Sequence, residues 1–421
     1  MLLVACKNES PINTFPSPDE PTVNYDENWD SSLTKEVYYD KLLGALVGSA
    51  IGDGMGAPTE MWHRNNIQVQ WGYVDGLGAV IREGSPEGPW EDNMAGGSTT
   101  DDTRWKYLAG QFLLAQPKID SLNPKAFAQH IIQIYLNETK EAKAIDAFAP
   151  EPLERELMHM TWLQEWAKVA KPYLENDLEG YIYALNRFYG GEMACAGMLY
   201  APLIGAYYPS TPERAYLEAY RLGLFDIGYA RDITGMTAAL VAKAMQPNIQ
   251  ASDITSVCYQ TDPLRYANSR LVGRIAHRIY QDAKYIAYTA NNVDTVESKL
   301  KLPRGFKRDS LYWQQVQKAY ELLDDKLQDI PFHAGEIHLI NLTAIEFSQG
   351  DFSKAMEFVV NYGRDNDTVA AVTGMILGAF VGFKALPQDI AQQAIRVNRD
   401  RVKIDLVKLA EDLTNKRFPK K

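Results

Sequence analysis

What this chain has little of narrows its chemistry first. Only three cysteines occur among 421 residues. Cys6, Cys195 and Cys258 are too few and too widely spaced for a disulfide framework or a thiolate zinc site. Cys195 and Cys258 sit in apolar, helix-like surroundings and read as buried core thiols. The six histidines are scattered. No His-Glu-x-x-His occurs, and His333 and His338, five apart, do not align on one helix face. Positive charge is also short. Lys and Arg number 43 against 54 Asp and Glu, a net charge of −11, the opposite of the basic face that binds nucleic acid. No apolar run reaches the ~18–20 uncharged residues of a membrane span. Alternating strands separated by hairpin turns are missing too.

What remains is helix. With 46% hydrophobic and 11% aromatic residues, the chain can bury a large core. Apolar positions recur at three- and four-residue spacing over 103–116, 124–136, 153–170, 211–225, 233–245, 270–288, 311–327 and 353–361. Breaks fall at Pro117, Pro124, Pro150, Pro209, Pro212, Pro247 and Pro387, as helix boundaries require. The expected fold is all-α, a single compact multi-helix globule over 35–421. Residues 64–98 are the exception: glycine-rich and without a helical period, they read as a long irregular loop, of a length that is usually functional or disordered.

Residues 1–34 read differently. Leu3-Val4-Ala5-Cys6 is similar to the lipobox of bacterial lipoproteins, with the basic and apolar segments of a full signal truncated. Residues 7–34, rich in Pro, Asp, Glu, Asn and Ser, cannot bury enough apolar area to order themselves and read as a tether. The expectation is a bacterial protein lipid-anchored in the cell envelope through Cys6, or a cytoplasmic one if the match is chance.

Two acidic clusters hold the functional signal: Thr100-Asp101-Asp102-Thr103 and Gly363-Arg364-Asp365-Asn366-Asp367-Thr368. If the fold joins them, four carboxylates repel one another unless cations intervene, and hard oxygen ligands select magnesium, manganese or calcium. Two glycine-patterned helices place the chemistry. Gly44, Gly48 and Gly52 line one face of the first, Gly374, Gly378 and Gly382 one face of the other, so that each can be closely approached. Gly52-Asp53-Gly54 ends the first helix with Glu60 just beyond. Asp365, Asp367 and Thr368 open the other, where orphan amides and the helix dipole tolerate carboxylates. Close contact of the two faces would hold Glu60 near the second cluster.

Each cluster alone is also a good helix cap, with Thr99 or Thr100 capping a helix that begins near Thr103. An EF-hand is a poor match at Asp365-Asn366-Asp367, which lacks the sixth-position glycine and the terminal glutamate. A prenyl-diphosphate motif fails because Trp105 stands where its third aspartate belongs.

Gly44-Ala-Leu-Val-Gly48-Ser-Ala-Ile-Gly-Asp53-Gly-Met-Gly-Ala-Pro58-Thr-Glu60, then Thr100-Asp101-Asp102-Thr103, then Gly363-Arg-Asp365-Asn-Asp367-Thr368, in that order, resemble the ADP-ribosylglycohydrolases, a family that includes the dinitrogenase-reductase-activating glycohydrolases and the J1 crystallins. The resemblance spans about 40 to 385. It implies an all-α globule with a central cleft holding two magnesium ions, or manganese. The ligands it implies are Thr100, Asp101, Asp102, Asp365, Asp367 and Thr368. Glu60 stands at the family's mobile catalytic glutamate, and Asp102 serves catalysis as well as metal. The implied reaction hydrolyses the bond at the anomeric carbon of an ADP-ribosyl group, on an ADP-ribosylated protein or a small ADP-ribose conjugate, with no nucleic-acid partner.

There are departures from the family pattern. Arg364 and Asn366 interrupt the usual Gly-Gly-Asp-Thr-Asp-Thr without removing a carboxylate. In the middle motif, Met198 and Ala201-Pro202 fit, but Leu199 replaces an arginine and Ala194 an asparagine. A different N- or O-glycoside, or a non-catalytic relative of the same fold that binds ADP-ribose or is purely structural, stays open.

Overall fold

The computed structural model describes residues 33–79, 95–117, 121–143, 150–269 and 273–419. Cys6 and the expected leader and tether, apart from its last two residues, lie outside them. Among the described residues are seventeen α-helices, linked by short 3-10 turns and loops. The all-α expectation is met. The one sheet among these residues is an antiparallel ladder of two residues a side, Trp62 opposite Arg364 and His63 opposite Gly363. No described helix is long and apolar enough to cross a membrane.

Helices with one polar face fall close to where periodicity put them: Asp101–Ala115, Pro124–Lys143, Pro150–Glu175, Pro212–Leu222, Ala230–Ala244, Ile275–Asn291, Ser310–Asp324 and Phe352–Tyr362. Pro124, Pro150 and Pro212 each stand at a first helical position, where the missing N–H costs nothing. Two differences are instructive. The expected loop 64–98 contains a helix, Arg64–Gln70, too short to establish a period. Ala334–Ser348 escapes the periodicity search because it is buried nearly all round, Glu346 alone excepted. A helix without a polar face has no phase to detect.

The centre of the molecule is the contact between Lys35–Gly56 and Asn366–Val381. Every residue from Lys41 to Gly56 is buried, as is every one from Asn366 to Ala379. The glycine faces meet backbone to backbone. A Cβ on Gly48 would lie 2.4 Å from the Gly374 carbonyl oxygen, one on Gly374 2.2 Å from that of Gly48, and one on Gly52 2.0 Å from that of Ala370. No side chain fits such a gap, since interiors are already close-packed. Lys41 ties the far end: its buried ammonium donates to the carbonyls of Ala244, Ala379 and Phe380 at 2.9–3.0 Å. A cation at two helix C-termini satisfies orphan carbonyls and complements both dipoles.

Candidate metal centre

Three segments meet where these two central helices end and begin. Asp53 lies in the last turn of the first helix and is fully buried. One of its oxygens accepts from the Thr100 amide at 2.8 Å; the other accepts from the Thr103 amide at 3.1 Å and the Thr103 hydroxyl at 2.6 Å. Asp53 therefore anchors the start of the Asp101–Ala115 helix, whose N-cap is Thr100, its hydroxyl accepting from the Asp102 amide at 3.3 Å. The helix opens at Asp101 rather than near Thr103, because Asp53 and Thr100 together satisfy the amides that would otherwise fray. Capping and site-building are thus done by the same residues.

The two acidic clusters converge. The Thr368 hydroxyl donates to Asp102 Oδ2 at 2.9 Å across 266 positions of sequence. Asp102 Oδ1 faces the buried Lys106 ammonium at 3.2 Å, and Lys106 also donates to the Asp102 carbonyl at 3.0 Å.

Glu60 is brought in by two further ties. The Asn366 amide donates to the Thr59 hydroxyl and the Val360 carbonyl, both at 2.9 Å. The two-residue ladder continues into a bond from the Met61 amide to the Arg364 carbonyl at 2.7 Å. Met61 (φ 63°) and Arg364 (φ 66°) are both left-handed. Such conformations cost on the order of 1–3 kcal/mol and persist only where surroundings hold them. Arg364 is held by a two-pronged pair with buried Glu336 at 2.7 and 2.9 Å. Arginine can therefore occupy a position whose φ suits glycine.

As a result Glu60, Asp365 and Asp367 each bring a carboxylate oxygen within 4.8 Å of the others. They open on a cavity of about 30 Å³, walled also by Asp101 and Thr368 on the polar side and by Tyr189, Leu199 and Phe332 on the apolar side. Asp367 is the most telling. It is 2% exposed, and its Oδ1 has no hydrogen-bond partner, whereas buried carboxylate oxygens are normally satisfied. Burial first, then the charges of Glu60 and Asp365, push its carboxyl well above the usual range. Asp53 is pushed up to about 7 by burial and then by Asp102, against the lowering effect of the Thr103 and Thr100 bonds. An all-oxygen group with an orphaned, proton-holding carboxylate fits a hard divalent cation.

Sequence-expected residues thus take three places. Glu60, Asp101, Asp365, Asp367 and Thr368 line the cavity. Thr100 is a buried cap behind it, and Asp102 is engaged with Lys106 and Thr368. Sequence reasoning did not single out Asp53 as an organiser, nor Lys106, although its four-residue spacing from Asp102 is the helical pairing distance. Cys258 is a buried helical thiol as expected, its pKa raised by burial. Cys195 is buried in the core as expected but not in a helix. It sits in the turn before Ala196–Leu199, lines the cavity, and has Sγ 4.0 Å from Asp365 Oδ2.

A family model for ADP-ribosylglycohydrolases matches residues 34–421. The chain belongs to the ADP-ribosylglycohydrolase family. Among its relatives, the uncharacterized protein YegU of Escherichia coli (strain K12) is 22% identical over 366 residues, 86% of this chain and 93% of YegU. A solved ADP-ribosylglycohydrolase-related protein complex aligns over 90% of this chain and 99% of its own, with a TM-score of 0.55 at 18% identity; that likeness is one of fold. Membership in the ADP-ribosylglycohydrolase family supports a glycosidase-type hydrolase, and the buried acidic group is able to hold a cation.

Proposed function

We propose that the protein is a divalent-cation-dependent hydrolase that cleaves the bond at the anomeric carbon of an ADP-ribosyl group, carried by a protein or a small conjugate. The observation that carries this reading is Asp367, which lines the cavity beside Glu60 and Asp365 with its buried Oδ1 unpartnered. Magnesium or manganese suits the all-oxygen donor set. Asp365 and Asp367 would hold the cation, with Glu60, Asp101 and Thr368 at its edge; the family resemblance adds Thr100, Asp102 and a second ion. A cation held there supplies an anchor for sugar hydroxyls and lowers the pKa of a water.

The chain's own residues do the rest. Glu60 sits where it can take a proton from water or give one to the leaving group, help typically worth 10²–10⁴ in rate. The carboxylate of Asp101 on the cavity wall favours the oxocarbenium-like transition state of glycoside cleavage. The cavity of about 30 Å³ has room for a cation or a water or two. Tyr189 and Phe332, whose rings stand 5.6 Å apart, form part of its apolar wall. Tyr189 takes a left-handed φ of 45°, followed by Gly190 (φ 73°) and Gly191 (φ 80°), where glycine adopts positive φ without strain.

The test is a mass-spectrometric screen of arginine-linked, serine-linked and free ADP-ribose conjugates with magnesium or chelator, alongside Glu60→Gln. Cation-dependent release of ADP-ribose, lost in Glu60→Gln while cation-induced thermal stabilisation persists, is expected. Equal turnover in chelator, or loss of cation binding with retained turnover in Glu60→Gln, would overturn the assignment.

A further inference from the structure

The pair Asp102–Lys106 bears on how many cations the site holds. Lys106 is 2% exposed and Asp102 1%, and both lie one turn apart on the same helix face. A buried ammonium must be matched by acceptors, and Lys106 finds two on one residue: the carbonyl of Asp102 at 3.0 Å and its Oδ1 at 3.2 Å. The other carboxylate oxygen of Asp102 accepts the Thr368 hydroxyl at 2.9 Å. A magnesium ion bonded to Oδ1 at about 2.1 Å would therefore stand within ~5 Å of a fixed positive charge. In a region this dry, little screens the repulsion. Around Glu60, Asp365 and Asp367 the circumstances differ. Arg364, next to Asp365 in sequence, gives its hydrogen bonds to Glu336 and the Gln328 carbonyl, and its charge reaches Asp365 only through space. Asp367, which lines the cavity, is left with its Oδ1 buried and without a partner.

We infer that the Lys106 ammonium takes the place of one divalent cation at Asp102, so that the protein binds a single tightly held ion at Asp365 and Asp367, beside Glu60, rather than a pair. This rests on reading those three carboxylates as a cation site. Asp102 then acts as a positioning residue, orienting the Thr368 hydroxyl, and its negative charge is answered from within the chain.

Manganese alone, as the probe, tests this by equilibrium dialysis and electron paramagnetic resonance on the full chain. One ion per chain is expected in the wild type, with the six-line signal of an isolated ion. Lys106→Met, which keeps the length and removes the charge, is expected to take up a second ion and show the broadened signal of a coupled pair. Two ions of comparable affinity with a coupled signal in the wild type would overturn the inference while leaving the cation site intact. So would a folded Lys106→Met, or Lys106→Gln if the first variant does not fold, that still binds one. No manganese in the wild type would instead remove the cation site itself, and the inference with it.

Discussion

Asp53→Asn probes the electrostatics of the site through stability alone. In the cation-free protein the Asp53 carboxyl is fully buried and pushed up to about 7 from an ordinary 3.8. Between these pH values the folded chain holds a proton that the unfolded chain has lost, so stability falls as pH rises. The contribution is complete below about pH 3.8 and gone above about pH 7. At about 1.4 kcal/mol per decade of proton concentration, the swing is on the order of 4 kcal/mol, a large part of a typical stability of about 5–15 kcal/mol. Asparagine removes the titration but not the shape. It can still accept from the Thr100 amide, yet it turns an NH₂ toward the Thr103 amide, and that unmet donor costs about 1–3 kcal/mol at every pH.

Thermal melts in chelator from pH 4.5 to 8 should therefore start with the wild type ahead and end with the gap closed or reversed. Titrations of groups remote from Asp53 cancel in the difference; that of Asp367, which the Asp53 charge helps to raise, adds to it. Millimolar magnesium should then restore the wild type at high pH, since a ligand bound only to the folded state stabilises it. A difference between the two proteins that stays constant across the pH range would refute the reasoning.

Two further outcomes follow from the geometry. Gly374→Ala places a methyl 2.2 Å from the Gly48 carbonyl oxygen. Overpacking of this kind costs about 1–3 kcal/mol, and by prising the central helices apart it should also weaken magnesium-induced stabilisation; Gly273→Ala, with nothing among the described residues within 4 Å, is the silent control, and melts of both in chelator and magnesium decide. Asp101→Asn and Asp367→Asn, if they serve one site, should each abolish most turnover, with the double variant little worse than the poorer single one; independent, additive losses in activity and melting temperature would show two separate caps.

The sequence alone determined the helical class, the principal amphipathic helices, the four-residue glycine faces and the carboxylates of the site, because each is a local pattern or a short motif beside a helix end. The buried helix Ala334–Ser348 was beyond its reach, since uniform burial erases the periodicity that reveals helices with a polar face. Only the tertiary structure decided which carboxylates share a cavity. Spacing along the chain treats Asp101 and Asp102 alike, yet one lines the cavity and the other turns to Lys106 and Thr368. The Gly48–Gly374 contact, the Asn366–Thr59 bond and the Met61–Arg364 bond together carry Glu60 to Asp365. Each joins residues some 300 positions apart, and such pairings are set by which backbone surfaces can close on each other without a void, a property no local pattern encodes.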